Sequence, residues 1–305
     1  FPESGTGYIQ KAEMEAGRHE YEAAYRTYED GLERAKTQKD ELLYARSRSL
    51  YNAVVQHQEN LPAGWTMEQA LKDVTAAKEI NPLPLSTLQE AHTLFVLKRY
   101  EEAYQRYMEV TQTKMRSAEV FLYAWQCRQN LKATDEELLV LNDSAVACFT
   151  KPYNAEAAPY LLLRSNTLGE MGRLREAIND LNDYEHLMQG QLTAQFYYKR
   201  EQLESRTRML GQAVNDIHKA ISLDADEPVY HAELAALLFR LNDIDNAIKE
   251  CQKAIGLDAE FPDAYRLMGI CLREKGDKEG AKRNLQKAIE LGDKLSAGIL
   301  EKLEN

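Results

Sequence analysis

Apolar residues along the chain recur at spacings of three and four, as in Leu234, Leu237, Leu238 and Leu241, and strict apolar/polar alternation is scarce. Such spacing lays one apolar stripe along an α-helix, whereas a half-buried strand would alternate. Breakers punctuate the stripes. The eight prolines, Pro2, Pro62, Pro82, Pro84, Pro152, Pro159, Pro228 and Pro262, stand where a helix should begin or end. Proline lacks a backbone N–H and costs about 3 kcal/mol inside a helix, yet it fits the first turn. Thr66–Gln69, Ser86–Gln89 and Thr134–Glu137 have the spacing of capping boxes, in which two side chains satisfy orphan amides of the first turn. The pattern predicts an all-α chain.

The stripes also repeat. Pro228 and Pro262 lie 34 residues apart, as do Ala247 and Ala281, Ala254 and Ala288, Ile255 and Ile289, and Leu257 and Leu291. One period earlier, Ala213, Ala220, Ile221, Leu223 and Asp224 hold the equivalent places. The segment PDAYRLMGICLREKGDKEGAKRNLQKAIEL resembles the tetratricopeptide repeat, a two-helix unit of this period. Tyr265, Met268, Gly269 and Leu272 stand at its first-helix positions, Gly276-Asp277 at its turn, and Ala281, Leu285 and Ala288 at its second-helix positions. Gly269 and Ala281 are small where the helices of one hairpin approach, Ala288 where the next repeat packs, and Tyr265 and Leu285 fill wider spaces. A larger side chain at a close approach costs about 1–3 kcal/mol.

Earlier segments keep the pattern with departures. Pro228–Phe261 carries Leu234, Ala235, Leu238, Ala247 and Ala254; Ala194–Glu227 keeps Ala213, Ile217 and Ala220 but has Glu201 where a small residue is usual. Tyr160–Leu187 carries Gly172, Leu174, Ala177 and Leu181 and is followed by a short insertion. Ser117–Phe149 has Ala124 in a first helix and an atypical, longer second one; Pro84–Val110 fits through Ala91, Tyr100, Ala103 and Tyr107. Ala70, Val74, Ala77 and Pro82 mark a second helix behind a long one near Asp40–Glu59, and Tyr21, Ala24 and Tyr28 suggest a first hairpin from Gly5. The resemblance thus implies a single right-handed superhelical solenoid over residues 1–305, of about eight antiparallel helical hairpins. Helix 295–303 would cap its end. Two sub-lobes are expected, divergent repeats over 1–150 and regular ones over 154–305, with a change of direction at Lys151-Pro152-Tyr153-Asn154.

Composition narrows the partners. Of 305 residues, 49 are acidic and 38 basic, a net charge of −11, which argues against binding a phosphate backbone. No stretch approaches the roughly 20 apolar residues of a membrane span. Cys127, Cys148, Cys251 and Cys271 show no metal-ligand spacing, and a disulfide between Cys251 and Cys271 is not expected. The start at Phe1-Pro2, without an initiator methionine, favours an exported or periplasmic bacterial protein over a cytoplasmic one.

No catalytic, phosphate-binding or metal motif occurs, and His19, His57, His92, His186, His218 and His231 include no pair at i, i+4. Glu101-Glu102 and Asp135-Glu136-Glu137 fall in helix first turns, where they complement the macrodipole. The chain is therefore expected to be no enzyme, to need no cofactor or metal, and to work through a surface. The resemblance implies a concave groove lined by the first helix of each hairpin. Projected here, it holds Leu88, Gln89, His92 and Phe95, then Phe121, Leu122, Trp125 and Arg128, then Leu162, Leu163 and Asn166, then Tyr198, Lys199 and Gln202. Aromatic and arginine anchors beside amides suit a peptide or protein segment. The alternative is a small-molecule or carbohydrate pocket built from Trp125, Tyr198, His92 and Asn166. A clamp for C-terminal carboxylates is disfavoured, because Leu162 replaces the expected lysine beside Asn166.

Overall fold

The stripes and breakers become seventeen α-helices among the described residues, which are 3–56 and 61–304 of a computed structural model. In chain order they are α1 (Gly5–Gly17), α2 (Tyr21–Arg34), α3 (Lys39–Val55), α4 (Met67–Ile80), α5 (Pro84–Val96), α6 (Tyr100–Thr111), α7 (Ala118–Asn130) and α8 (Asp135–Val146). A 3₁₀ turn, Ala155–Ala157, then leads to α9 (Ala158–Glu170), α10 (Leu174–Leu187), α11 (Ala194–Arg206), α12 (Leu210–Leu223), α13 (Pro228–Arg240), α14 (Ile244–Leu257), α15 (Pro262–Glu274), α16 (Lys278–Glu290) and α17 (Lys294–Glu304). Phe1, Pro2, His57 and the 57–59 end expected for the third helix lie outside the described residues.

The chain divides into two compact units, Phe1–Pro152 and Tyr153–Asn305. Each is an all-α solenoid of four hairpins stacked in sequence order. In the first, α4 packs on α5 and α6 on α7; in the second, α10 packs on α11, α12 on α13, α14 on α15, and α17 closes against α16.

One turn geometry makes the hairpins. In seven of them the second residue after the first helix is left-handed: His19, Lys98, Lys132, Gly172, Arg208, Asn242 and Gly276, with φ between 58° and 84°. The next amide then reaches the carbonyl five residues back, as from Arg99 to Leu94 (2.9 Å), Asp243 to Leu238 (2.8 Å) and Asp277 to Leu272 (3.0 Å). This closure satisfies orphan carbonyls and reverses the chain at once. Only Gly172 and Gly276 adopt the conformation without a Cβ penalty. The α3–α4 connection is longer and is instead anchored by buried Trp65, packed with Tyr21, Leu50 and Met67.

Close approach sets the interior. A Cβ on Gly269 would lie 2.8 Å from Leu285 Cγ and 3.2 Å from the Ala281 carbonyl, so α15 and α16 meet at a distance that only glycine permits. Ala235, Ala247, Cys251, Met268 and Cys271 form the adjoining core, and both of these thiols are free.

Buried ion pairs then fix register across the hairpins. Arg164 makes two bonds to Asp180 (2.8 and 2.7 Å) and Arg200 two to Asp216 (2.5 and 2.9 Å), each pair 16 residues apart. Arg46 grips Asp73 in the same way (2.6 and 2.7 Å), while Glu90 and Arg106 reverse the charges at 3.6 Å. Burial alone would lower the Arg200 pKa; hydrogen bonds to Asp216 and Glu185 outweigh it and raise it. Removing one partner of such a buried pair costs about 3–5 kcal/mol.

Two local expectations are corrected. Ser86 does not cap a helix: Pro84, with its preset φ, starts α5 two residues earlier, leaving Leu83 as the cap and Ser86 buried. The second helix of the Ser117–Phe149 hairpin is not longer: α8 has 12 residues against 14 in α10, α12 and α14. Thr134 and Glu137 do form the full capping box, and Thr66 accepts from the Gln69 amide at 3.1 Å.

Gly269→Val should lower the thermal midpoint by several degrees, since the clash costs about 1–3 kcal/mol. Gly256→Ala, facing open space in α14, should raise it slightly, by the roughly 1 kcal/mol of helix propensity recovered. Melting curves of the two variants showing the same sign would contradict the seam. Lys132→Gly, relieving a left-handed lysine, should stabilise by about 1 kcal/mol in urea titration, and a destabilised variant would refute the turn assignment.

Candidate functional site

The first helices of successive hairpins present residues at a repeating set of positions, and the structure places each expected groove residue. In the first unit, the α5 and α7 residues turn largely inward. His92 hydrogen-bonds through Nδ1 to the Tyr107 hydroxyl (2.8 Å) and packs edge-on against Tyr107 and Tyr123. Burial pushes its pKa down to about 4, so it is a neutral packing histidine at physiological pH. Phe95 lies edge-on to Tyr100 and Tyr123. Leu88 is half-buried, and Gln89 is buried with its side-chain amide nitrogen unpartnered.

On α7, Phe121 is in the core, only 4% exposed, beneath the Arg116 guanidinium. Leu122 and Trp125 are half-buried, and the Trp125 indole N–H is buried without a partner. Arg128 is held by Glu137 (2.6 Å) and Glu101 (3.5 Å) and lies over the Tyr104 ring. Its charge is therefore engaged within the chain.

In the second unit the residues come together differently. Leu162 and Leu163 are half-buried, and the Lys199 ammonium donates to the Asn166 side-chain oxygen. Desolvation lowers the Lys199 pKa. Gln202 is exposed and hydrogen-bonds Tyr198. Tyr198 packs against the Tyr230 ring and forms one wall of a cavity of about 280 Å³. Of the four residues suggested for a carbohydrate pocket, His92 and Trp125 belong to the first unit and Asn166 and Tyr198 to the second.

That cavity is built entirely from first helices and the cap of one. Besides Tyr198 of α11, it is lined by Val229, Ala232, Glu233 and Ala236 of α13, and by Phe261, Asp263, Arg266, Leu267 and Ile270 at α15. The sequence projection stopped two repeats short of the end of this cavity. The signal was present: adding 34 and then 68 to positions 198, 199 and 202 gives Ala232, Glu233 and Ala236, then Arg266, Leu267 and Ile270. All six line the cavity.

Beside it sits a buried acidic pair. Glu201 fills the small-residue position of α11, is 1% exposed, and has no partner for either carboxylate oxygen; Glu204 is buried with one oxygen unpartnered. Burial, reinforced by the charges of Glu233 and Glu204, pushes Glu201 up to about 8. Burial and then Asp216 push Glu204 up to about 7. Among the described residues no group of three His, Cys, Asp or Glu side chains could hold a metal ion, and no helix is long and apolar enough to cross a membrane.

Stacked hairpins closed by a common turn define a helical-repeat protein. The family model of the tetratricopeptide repeat matches residues 230–261, the span of α13 and α14. Residues 230–261 are thus a tetratricopeptide repeat. Among solved structures, the MamA RS-1 ArsTM double mutant shares the fold with a TM-score of 0.50 at 17% identity, covering 57% of this chain and 93% of that one. MamA 41-end from Desulfovibrio magneticus RS-1 follows at 0.49 and 17%, covering 57% and 94%. A tetratricopeptide repeat protein from Parabacteroides merdae ATCC 43184 aligns at 0.47 and 16%, covering 88% and 100%. No curated protein matches the sequence.

The acidic pair has a signed consequence for stability. Above about 4.5 the unfolded chain gives up the Glu201 proton while the folded chain keeps it. Stability therefore falls as pH rises through that window to about 8, at about 1.4 kcal/mol per pH unit for one such group. Glu201→Gln should raise the melting temperature markedly at pH 8 and leave it nearly unchanged at pH 4.5. An equal shift at both values would show that the carboxyl is not held neutral.

Proposed function

We propose that the chain is a non-catalytic scaffold that holds a peptide or protein segment against the first-helix face of its second unit. The observation that carries this reading is the cavity bounded by α11, α13 and α15. Its walls pair apolar surface from Val229, Leu267 and Ile270 with an aromatic side chain and fixed charges. A few aromatic and charged anchors around a desolvated pocket carry most of the energy in protein recognition. The first helices of three successive hairpins contribute, so an extended or helical segment crossing the repeats meets equivalent positions at each step.

In the first unit the aromatic residues of α3, α5, α6 and α7 are used against one another, with Tyr51, His92, Tyr107 and Tyr123 in mutual ring contact. Their burial supports a structural role for that cluster and concentrates the binding proposal on the second unit.

Selection from a random-peptide library on the full chain tests the reading. Peptides should be recovered whose affinity, measured by calorimetry, falls at least tenfold in Tyr198→Ala, the loss of about 1.4 kcal/mol expected of an aromatic anchor. Selected peptides that bind Tyr198→Ala as tightly as the parent would place the binding face elsewhere.

A further inference from the structure

The cavity between α11, α13 and α15 carries an unbalanced charge. Glu233 lines it, and no ion pair or hydrogen bond engages this carboxylate among the described residues. The cation on the wall is already committed: the Arg266 guanidinium is bound by Asp263 at 2.5 Å and Asp293 at 2.9 Å. Next to Glu233 lies Glu201, almost completely buried, with both carboxylate oxygens unpartnered. The strongest charge felt by Glu201 is that of Glu233, and Tyr198 on the cavity wall feels both. Glu233 and the Tyr198 ring therefore face one recess, with the Glu201 carboxyl buried behind them.

Carboxylates taken out of water without a counter-ion are costly to the fold. Elsewhere this chain provides the counter-ion, as Arg200 does for Asp216 and Arg164 for Asp180. At this recess no cation among the described residues pairs with Glu233, and Arg240, the one cation acting on Glu201, is hydrogen-bonded to Ser205 instead; the recess is open to the surface that a partner would cross. A cation arriving from outside would recover the missing attraction in a low-dielectric setting, where it is worth more than in water. Arginine suits it better than lysine: its planar fork bonds carboxylates in pairs and stacks on an aromatic face.

We propose that this cavity receives a positively charged side chain, preferentially arginine, from the partner segment, with Glu233 in direct contact and the Glu201 carboxyl buried behind it. That carboxyl, neutral in the free chain, gives up its proton to solvent as the cation arrives. The inference rests on the first-helix face being the binding surface and adds the chemistry of the partner's anchor.

The probe is an acetylated, amidated peptide alternating glycine and arginine, compared with lysine, leucine and glutamate counterparts of the same length. Each is titrated calorimetrically into the full chain at physiological ionic strength, where long-range attraction is screened. The arginine peptide should bind most tightly and the glutamate peptide not at all. Glu233→Gln should weaken arginine-peptide binding at least tenfold and Glu201→Gln severalfold, with the fold of both variants verified by circular dichroism. Glu136→Gln removes the same charge from an exposed position on α8 and should leave binding unchanged. Equal weakening by Glu136→Gln, full affinity in Glu233→Gln, or no preference for the arginine peptide would overturn the proposal. Library peptides that depend on Tyr198 but carry no basic residue would sink this inference and leave the scaffold reading standing; absence of any peptide binding would remove both.

Discussion

The whole arrangement depends on how closely two helices of one hairpin can approach. Where Gly269 faces Leu285 and Ala281, no side chain separates the helices, and a single added Cβ would collide. That contact lets a hairpin of two short helices present a continuous apolar face to its neighbour, which it cannot bury alone. Every other feature is arranged around this seam. The left-handed turns deliver the second helix at the required angle, and the buried arginine–aspartate pairs lock its register. First helices are left with one face toward their partners in the hairpin and the other toward the proposed binding surface.

Glu201 is the exception that links architecture to chemistry. It occupies in α11 the seam position that Ala235 and Gly269 hold in the following repeats. Glycine or alanine there is silent. A carboxylate there is buried by the same close approach and finds no hydrogen bond, because both neighbouring helices already spend their backbone groups within themselves. Repeat geometry thereby turns one residue into a desolvated carboxyl, held protonated by burial, beside the proposed binding surface. Other cations of these hairpins are already committed: Arg200 and Arg266 are each satisfied by aspartates, and Arg240, which acts on Glu201, is hydrogen-bonded to Ser205.

Much of this was legible in the sequence, for identifiable physical reasons. Prolines at Pro84, Pro228 and Pro262 and small residues at 34-residue spacing record constraints local to the backbone, so the starts of α5, α13 and α15 follow from them closely. The period also carries positions 199 and 202 to the cavity-lining Glu233 and Ile270, a signal the groove projection did not use. On α7 the reasoning had less to work with. Val120, Phe121, Leu122, Tyr123, Ala124 and Trp125 are consecutive and apolar or aromatic, so no stripe distinguishes the core face from the outer one. The buried ion pairs left a trace in the 16-residue spacing of Arg164 to Asp180 and Arg200 to Asp216, but charge alone does not announce burial. Left-handed turns at Lys98, Lys132 and Arg208 were hidden as well, because the residue types give no hint of a positive φ.

The account places recognition on the first-helix side of the second unit, away from the second helices. A benzophenone amino acid introduced at Ala236, inside the cavity, and separately at Gln252, exposed on α14, asks this directly once a bound peptide is in hand. Irradiation of the complex should join the peptide to the chain through position 236 and leave position 252 unreacted. Crosslinks formed chiefly from position 252 would contradict the assignment of the binding face.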